Sequence, residues 1–424
     1  VVWAWRYARS TPADAPRPVA SLAAENTAQR EAFAVCDRLL EDFPHDADAL
    51  ALRGALLSAW GQMDEALRSW EACLRLDPAH AAACDGIGKT ALRAGDFEKA
   101  ASMYRRAVAA APGKAEPSLG LGKALLEGGQ PDQAASVLES HVARWPDSAE
   151  ALHLLGEAYL AVRRPGDAKK CFDRVVQARA ASSRTYYGLM TACRRLGDTD
   201  LARRYEDEFR RRKEQERTLA VADRRDHWDE RSVERRLADT YLAAAGVYQS
   251  HGDAAQAIAC WRQAAAADRT HLESRQLLAM ALAQTGALDE AIRATEELQR
   301  IEPQNPQHWL AAGRLHAQRK RWDAAEASLR KAVELAPRQG ELRTWLAVVC
   351  LQSGRNPREA ARLARAAVDV APTVQNYCLL SEACSQSGDR AGAIEALRRA
   401  RELDPGNLAV QEAYRRLQEA STRP

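Results

Sequence analysis

Gly88-Lys89-Thr90 has the letters that end a phosphate-binding loop, where backbone N–H groups wrap phosphate oxygens and a lysine meets their charge. Such a loop needs another glycine five residues before the Gly-Lys pair, and Ala83 stands there. It should also follow a buried strand, but Asp77–Cys84 is alanine-rich with no β-branched residue. A nucleotide site is therefore not expected. His227–Glu230, "HWDE", offers acid–base side chains, but within a charge-dense helical run that implies no pocket. The nine histidines are scattered, with no H-E-x-x-H pair, nucleophile elbow or dinucleotide loop. Nine cysteines include no CxxC pair, so neither a zinc knuckle nor a disulfide framework is indicated. Cys36, Cys73, Cys171, Cys193, Cys260 and Cys384 lie on alanine- and leucine-rich helical runs and read as small buried hydrophobes. Unpaired thiols favour a reducing, cytoplasmic setting. No catalytic, cofactor or metal residues are assigned, and the chain is expected not to be an enzyme.

The glycine at 88 has another origin. Gly54, Gly88, Gly122 and Gly156 recur every thirty-four residues, and Lys123 follows Gly122 as Lys89 follows Gly88. Gly61, Gly95 and Gly129 form a second series, suited to the left-handed residue that closes a helix and opens a tight turn. Ala66, Ala100, Ala134 and Ala168 form a third, and Pro78, Pro112 and Pro146 a fourth. One turn after each alanine comes a bulky side chain: Trp70, Tyr104, Leu138, Phe172. The beat resumes at Gly252 and Gly286, with Ala257, Ala291 and Ala325, then Pro303, Pro337, Pro372 and Pro405.

Each period reads as two helices. A small residue on the first lets the second approach closely, and proline ends the second because it has no N–H to continue the ladder. One pair cannot bury its apolar face, so neighbours must stack. Arg163 replaces one turn glycine, and around Gly188 the spacing slips by two, so the fifth unit is expected to be the least regular.

These residues resemble the tetratricopeptide repeat (TPR) family. Leu152, Leu155-Gly156, Tyr159, Ala168 and Phe172 match its pattern, as do Ile87-Gly88, Gly95, Ala100, Tyr104, Ala107 and Pro112, and also Trp309, Gly313, Ala325, Ala332 and Pro337. The resemblance implies an all-α superhelical solenoid of about ten helix-turn-helix repeats in two arrays, residues 47–216 and 238–407. Residues 19–46 read as a partial leading repeat, 217–237 as a charged helical junction with Trp228 packing it, and 408–424 as a capping helix and tail. Residues 1–18, starting "VVWAWRYARS", resemble the interfacial end of a membrane anchor whose body is absent.

Charge argues against one class of partner. Sixty-one basic and 58 acidic residues give a net +3, which supplies no global field for nucleic acid. From Arg203 to Arg236, twelve basic and ten acidic residues interleave as in a solvated, salt-bridged helix, whereas nucleic-acid binding needs a stripe of one sign. Protein partners are expected instead. The resemblance implies a concave groove lined by first helices, where Lys89, Lys123, His153, Glu157, Tyr187, Arg194, Met280 and Arg314 would meet a partner peptide or helix. The lysines, with Tyr187 and Arg194 beyond, suit an acidic or carboxylate-bearing segment. TPR domains that clamp the C-terminal carboxylate of chaperones use asparagines where Ala55, Lys89 and Lys123 stand, so that subtype is not expected. The leading expectation is an interaction scaffold. Its rivals are the substrate-recognition part of a larger enzyme and the membrane-tethered part of an assembly complex.

Overall fold

The computed structural model describes residues 19–226 and 230–422. Every regular element among them is an α-helix. Helix α1 (Val19–Asp42) leads, followed by pairs α2 (Ala47–Ala59) with α3 (Met63–Leu76), α4 (Ala81–Ala94) with α5 (Phe97–Ala110) and α6 (Ala115–Glu127) with α7 (Pro131–Arg144). Next come α8 (Ala149–Ala161) with α9 (Pro165–Gln177), α10 (Ser183–Leu196) with the long α11 (Thr199–Asp226), and α12 (Glu230–Ser250). Then come α13 (Ala254–Ala267), α14 (Leu272–Gln284) with α15 (Leu288–Ile301) and α16 (Pro306–Gln318) with α17 (Trp322–Leu335). The last are α18 (Gly340–Ser353) with α19 (Pro357–Val370), α20 (Val374–Gln386) with α21 (Arg390–Leu403), and α22 (Leu408–Thr422). The chain divides into two units, the first ending at Val247 and the second beginning at Tyr248. His227, Trp228 and residues 1–18, on which the acid–base, junction and anchor expectations rest, lie outside the described residues. No helix among the described residues is long and apolar enough to cross a membrane.

Side chains close the helix ends as the local sequence requires. Asp46 accepts from Ala49 N at 2.7 Å, Asp96 from Lys99 N at 3.0 Å and Asp253 from Gln256 N at 3.0 Å, each satisfying a donor with no intrahelical partner. Gly95 takes φ 81° at the turn between α4 and α5, a left-handed conformation that a β-carbon disfavours. Arg163 takes φ 60° at the corresponding turn, as its replacement of the glycine predicts, and Lys320 does the same at φ 55°.

The core of the first unit is built on aromatic wedges. Trp70 on α3 is nearly fully buried. A β-carbon on Gly54 of α2 or on Gly86 of α4 would lie 2.5 Å from its indole. The ring thus fills a slot between its own partner helix and the first helix of the next pair. Tyr104 sits likewise between Gly88 and Gly120, and Phe172 between Gly156 and Gly188. Burying a side chain of this size contributes about 1.5–3 kcal/mol. Gly188 therefore belongs to the series Gly86, Gly120, Gly188, facing the preceding wedge. Met190 holds the place that Gly156 holds one period earlier, so the period is unbroken and the expected slip is a change of series.

Arginines tie neighbouring pairs together. Arg106 Nη2 donates to the Pro78 carbonyl at 2.6 Å, Arg144 Nη1 to Pro112 at 2.7 Å and Arg174 Nη2 to Pro146 at 2.7 Å. Each arginine reaches back to the proline two residues past the end of the previous second helix. The first unit is also joined end to end, because Tyr241 Oη donates to Glu31 Oε1 at 2.6 Å and the Arg236 guanidinium lies 5.4 Å from the Trp60 ring centre.

The described part of the charged segment is helical. It extends α11 to Asp226, with Arg210–Glu206 at 2.8 Å and Arg211–Glu208 at 2.7 Å along it. All the cysteines but Cys378 are buried, and burial pushes the Cys171 and Cys350 thiols up to about 11 and Cys36 to about 12.

Candidate functional site

Lys89, Lys123 and Glu157 occupy the same place on α4, α6 and α8, one period apart. Their surroundings differ. Lys89 Nζ pairs with Asp85 on its own helix at 2.6 Å and is half exposed. Lys123 has no ion pair among the described residues and lines a cleft of about 190 Å³ with Glu127, His153, Glu157 and Arg184.

Within this cleft Glu157 accepts from Arg184 Nη2 at 3.0 Å and lies 3.2 Å from His153 Nε2. Burial works to raise the Glu157 carboxyl, but the hydrogen bond and charge of His153, and then those of Arg184, outweigh it and hold the group below its ordinary range. The His153 ring stands edge-on to the Phe172 wedge at 5.5 Å, so the packing that fixes the solenoid also fixes this side chain. The cleft is a charged notch in which Lys123 and Arg184 stand with three carboxylates, Glu127, Glu150 and Glu157, the last held in an ion pair with Arg184. Arg184 is absent from the sequence expectations. It lies one period after Glu150, a relation hidden by placing Gly188 in the wrong series.

Tyr187 and Arg194 lie further along, on α10, where α11 engages them. Tyr187 is 40% exposed, with its ring 5.8 Å from that of Phe209. Arg194 Nη2 pairs with Glu206 at 2.8 Å. Glu216 of α11 accepts from Ser183 N at 2.7 Å and Ser183 Oγ at 2.6 Å at the start of α10, so α11 runs along the whole of its partner.

In the second unit, Met280 and Arg314 are brought together. They line a groove of about 580 Å³ between α14 and α16. Met280 is 58% exposed at the edge of this groove. Ala279, Ala283 and Leu315 line the groove beside it, and amides stand around it at Gln276, Gln284, Gln307 and Gln318. The Arg314 guanidinium lies 4.5 Å from the centre of the Trp345 ring, which orients it without neutralising it. No carboxylate stands among the described lining residues. The amides went unnoticed in the sequence, although Gln284 and Gln318 are one period apart. Among the described residues, no group of His, Cys, Asp or Glu could hold a metal ion.

Tetratricopeptide repeat profiles match residues 57–115, 86–149 and 310–374, residues 125–193 and 248–315, and residues 374–407. A curated relative, the BBSome complex member bbs-4 of Caenorhabditis elegans, is 28% identical over 133 residues, 30% of this chain. The match spans 29% of that relative's length. Among solved structures, YrrB, described as a TPR protein with an unusual peptide-binding site, is 18% identical with TM-score 0.38, over 42% of this chain and 92% of that one. The APC/C hetero-tetramer Cut9-Hcn1 is 15% identical with TM-score 0.35, over 92% of this chain and 93% of that one. With its helix pairs, glycine-seated wedges and matched repeats, the chain belongs to the tetratricopeptide repeat family.

Proposed function

We propose that this protein is a non-enzymatic scaffold that holds partner proteins as extended segments against its first helices. Its principal seat is the groove between α14 and α16. The observation that carries this reading is Met280, exposed in an apolar trough ringed by side-chain amides with no carboxylate among the described lining residues. Amides present both a donor and an acceptor, which suits the main chain of an extended peptide whatever its sequence. Met280 and the alanines beside it take an apolar side chain, and a flexible thioether adapts to several shapes. Arg314, held over Trp345, adds a preference for a carboxylate on the ligand. Lys123, without an ion pair among the described residues, would add a single cationic contact in the first unit, within a cleft that also holds Glu127, Glu150 and Glu157. That a partial relative is a member of a protein complex supports a scaffold, since such a member works through its contacts.

Selection from a random peptide library tests the reading. Selected peptides should share an aliphatic residue near an acidic one, and Met280→Lys should weaken their binding about tenfold or more, a loss of about 1.4 kcal/mol or more. The melting temperature should stay unchanged, because Met280 packs little. Peptides without a shared pattern, or full affinity in Met280→Lys, would remove the groove from the account.

A further inference from the structure

On the other side of α14, a cleft of about 670 Å³ opens between the second helices α13 and α15. Four arginines line it, Arg262, Arg269, Arg275 and Arg300, against one carboxylate, Glu297. Arg275 is a buried structural cation. Its Nη1 donates to the carbonyls of Asp268 at 2.9 Å and His271 at 3.2 Å, its Nη2 to that of Ala265 at 2.7 Å, and its Nε to Glu297 at 3.2 Å. Glu297 is thereby taken up. Arg262 pairs with Glu290 at 2.5 Å. Arg269 and Arg300 have no ion pair or side-chain hydrogen bond among the described residues.

Unpaired arginines occur elsewhere in the second unit, at Arg293, Arg338, Arg343, Arg358 and Arg390 among the described residues, but here four arginines share one cleft with a single carboxylate. Other arginines of the unit are supplied with acceptors. Arg319 and Arg321 share Asp289 at 2.7 and 2.8 Å, Arg330 pairs with Glu359 at 3.2 Å, and Arg398 with Glu395 at 2.6 Å. Two uncommitted guanidinium groups beside a buried one repel each other, and an anion between them would relieve that repulsion. Ala265, Ala266, Leu278 and Ile301 give the same cleft an apolar lining.

We propose that this cleft is a second docking site, taking an extended acidic segment of a partner protein. Carboxylates pair with Arg269 and Arg300, and an aliphatic side chain between them rests on Ala266 and Leu278. Charge complementarity selects this occupant. A nucleic-acid strand would need a continuous basic track and aromatic faces for its bases, and no aromatic side chain lines the cleft. The site lies on the opposite side of α14 from Met280, so the two seats are separate.

Fluorescence polarisation of the full chain carrying Met280→Lys, which takes the other groove out of use, with a labelled glutamate–leucine repeat peptide tests the assignment. Binding should be measurable at about 50 mM salt and fall several-fold by about 300 mM, as screening requires. Adding Arg269→Glu with Arg300→Glu in that background should lower it about tenfold or more with an unchanged melting curve. The idea fails if the arginine double substitution leaves binding in the Met280→Lys chain unchanged, or if that chain shows no binding. It also fails if a single-stranded oligonucleotide binds more tightly than the peptide and loses that binding in the double variant.

Discussion

The indole of Trp70 occupies the space where Gly86 would carry a side chain, with a β-carbon there falling 2.5 Å from the ring. Trp70 belongs to one helix pair and Gly86 to the next, so this contact glues neighbours rather than partners. Gly86→Ala should push α4 off α3 and destabilise the chain by about 1–3 kcal/mol in urea unfolding. Gly246 on α12 is helical too, but nothing lies within 4 Å of its would-be β-carbon. Gly246→Ala should stabilise by up to about 1 kcal/mol, through helix propensity alone. Equal effects would show that the wedge does not govern packing.

Acid should loosen the fold before any carboxylate titrates. His141 Nε2 and His316 Nδ1 are buried with no hydrogen-bond partner among the described residues, and burial lowers both imidazoles from their ordinary 6.5. Glu116 and Glu296 oppose that shift without reversing it. Between 6.5 and the lower folded values the unfolded chain binds more protons, so stability is whole above that window and falls as pH drops through it. The urea midpoint should be lower at about pH 5.5 than at about pH 7.5, and less so in His141→Gln/His316→Gln. A flat profile would contradict the burial.

Much of the architecture was legible before any coordinates. Glycine, alanine and proline punctuation located the helix pairs, and Arg163 was rightly read as a turn residue. The series Gly86, Gly120 and Gly188 is not legible because Gly88 and Gly86 sit two residues apart, and only the wedges show which neighbour each faces. The candidate site was half legible. Periodicity placed Lys89, Lys123 and Glu157 on one line, but whether a lysine is free depends on local partners. Asp85 engages Lys89, while Lys123 has no equivalent. Arg194 looked available until α11 brought Glu206 to it. The arginine cleft joins three helices, and no single stretch announces it.

The thiols give an independent check on burial. With burial raising the Cys36, Cys171 and Cys350 thiols, little thiolate forms on them near about pH 8. A disulfide reagent should modify half-buried Cys378 first, and the others at the rate at which the chain opens. Several cysteines reacting at the rate of a free thiol would contradict the packing.

Lys123 and Lys89 should separate under charge reversal. Lys123→Glu should weaken a carboxylate-bearing ligand of the first unit by several-fold, whereas Lys89→Glu should act less, because Lys89 is already neutralised by Asp85. Titration calorimetry of both variants reads the difference, and equal losses would count against the Lys123 cleft as the contact.

The central claim is that a partner peptide lies between α14 and α16. A photoreactive residue placed at 280 reports this directly when compared with one at exposed Gln263 on α13. With a library-selected peptide bound, cross-linking should occur at 280 and be absent at 263. Equal labelling at both positions, or labelling at 263 alone, would contradict it.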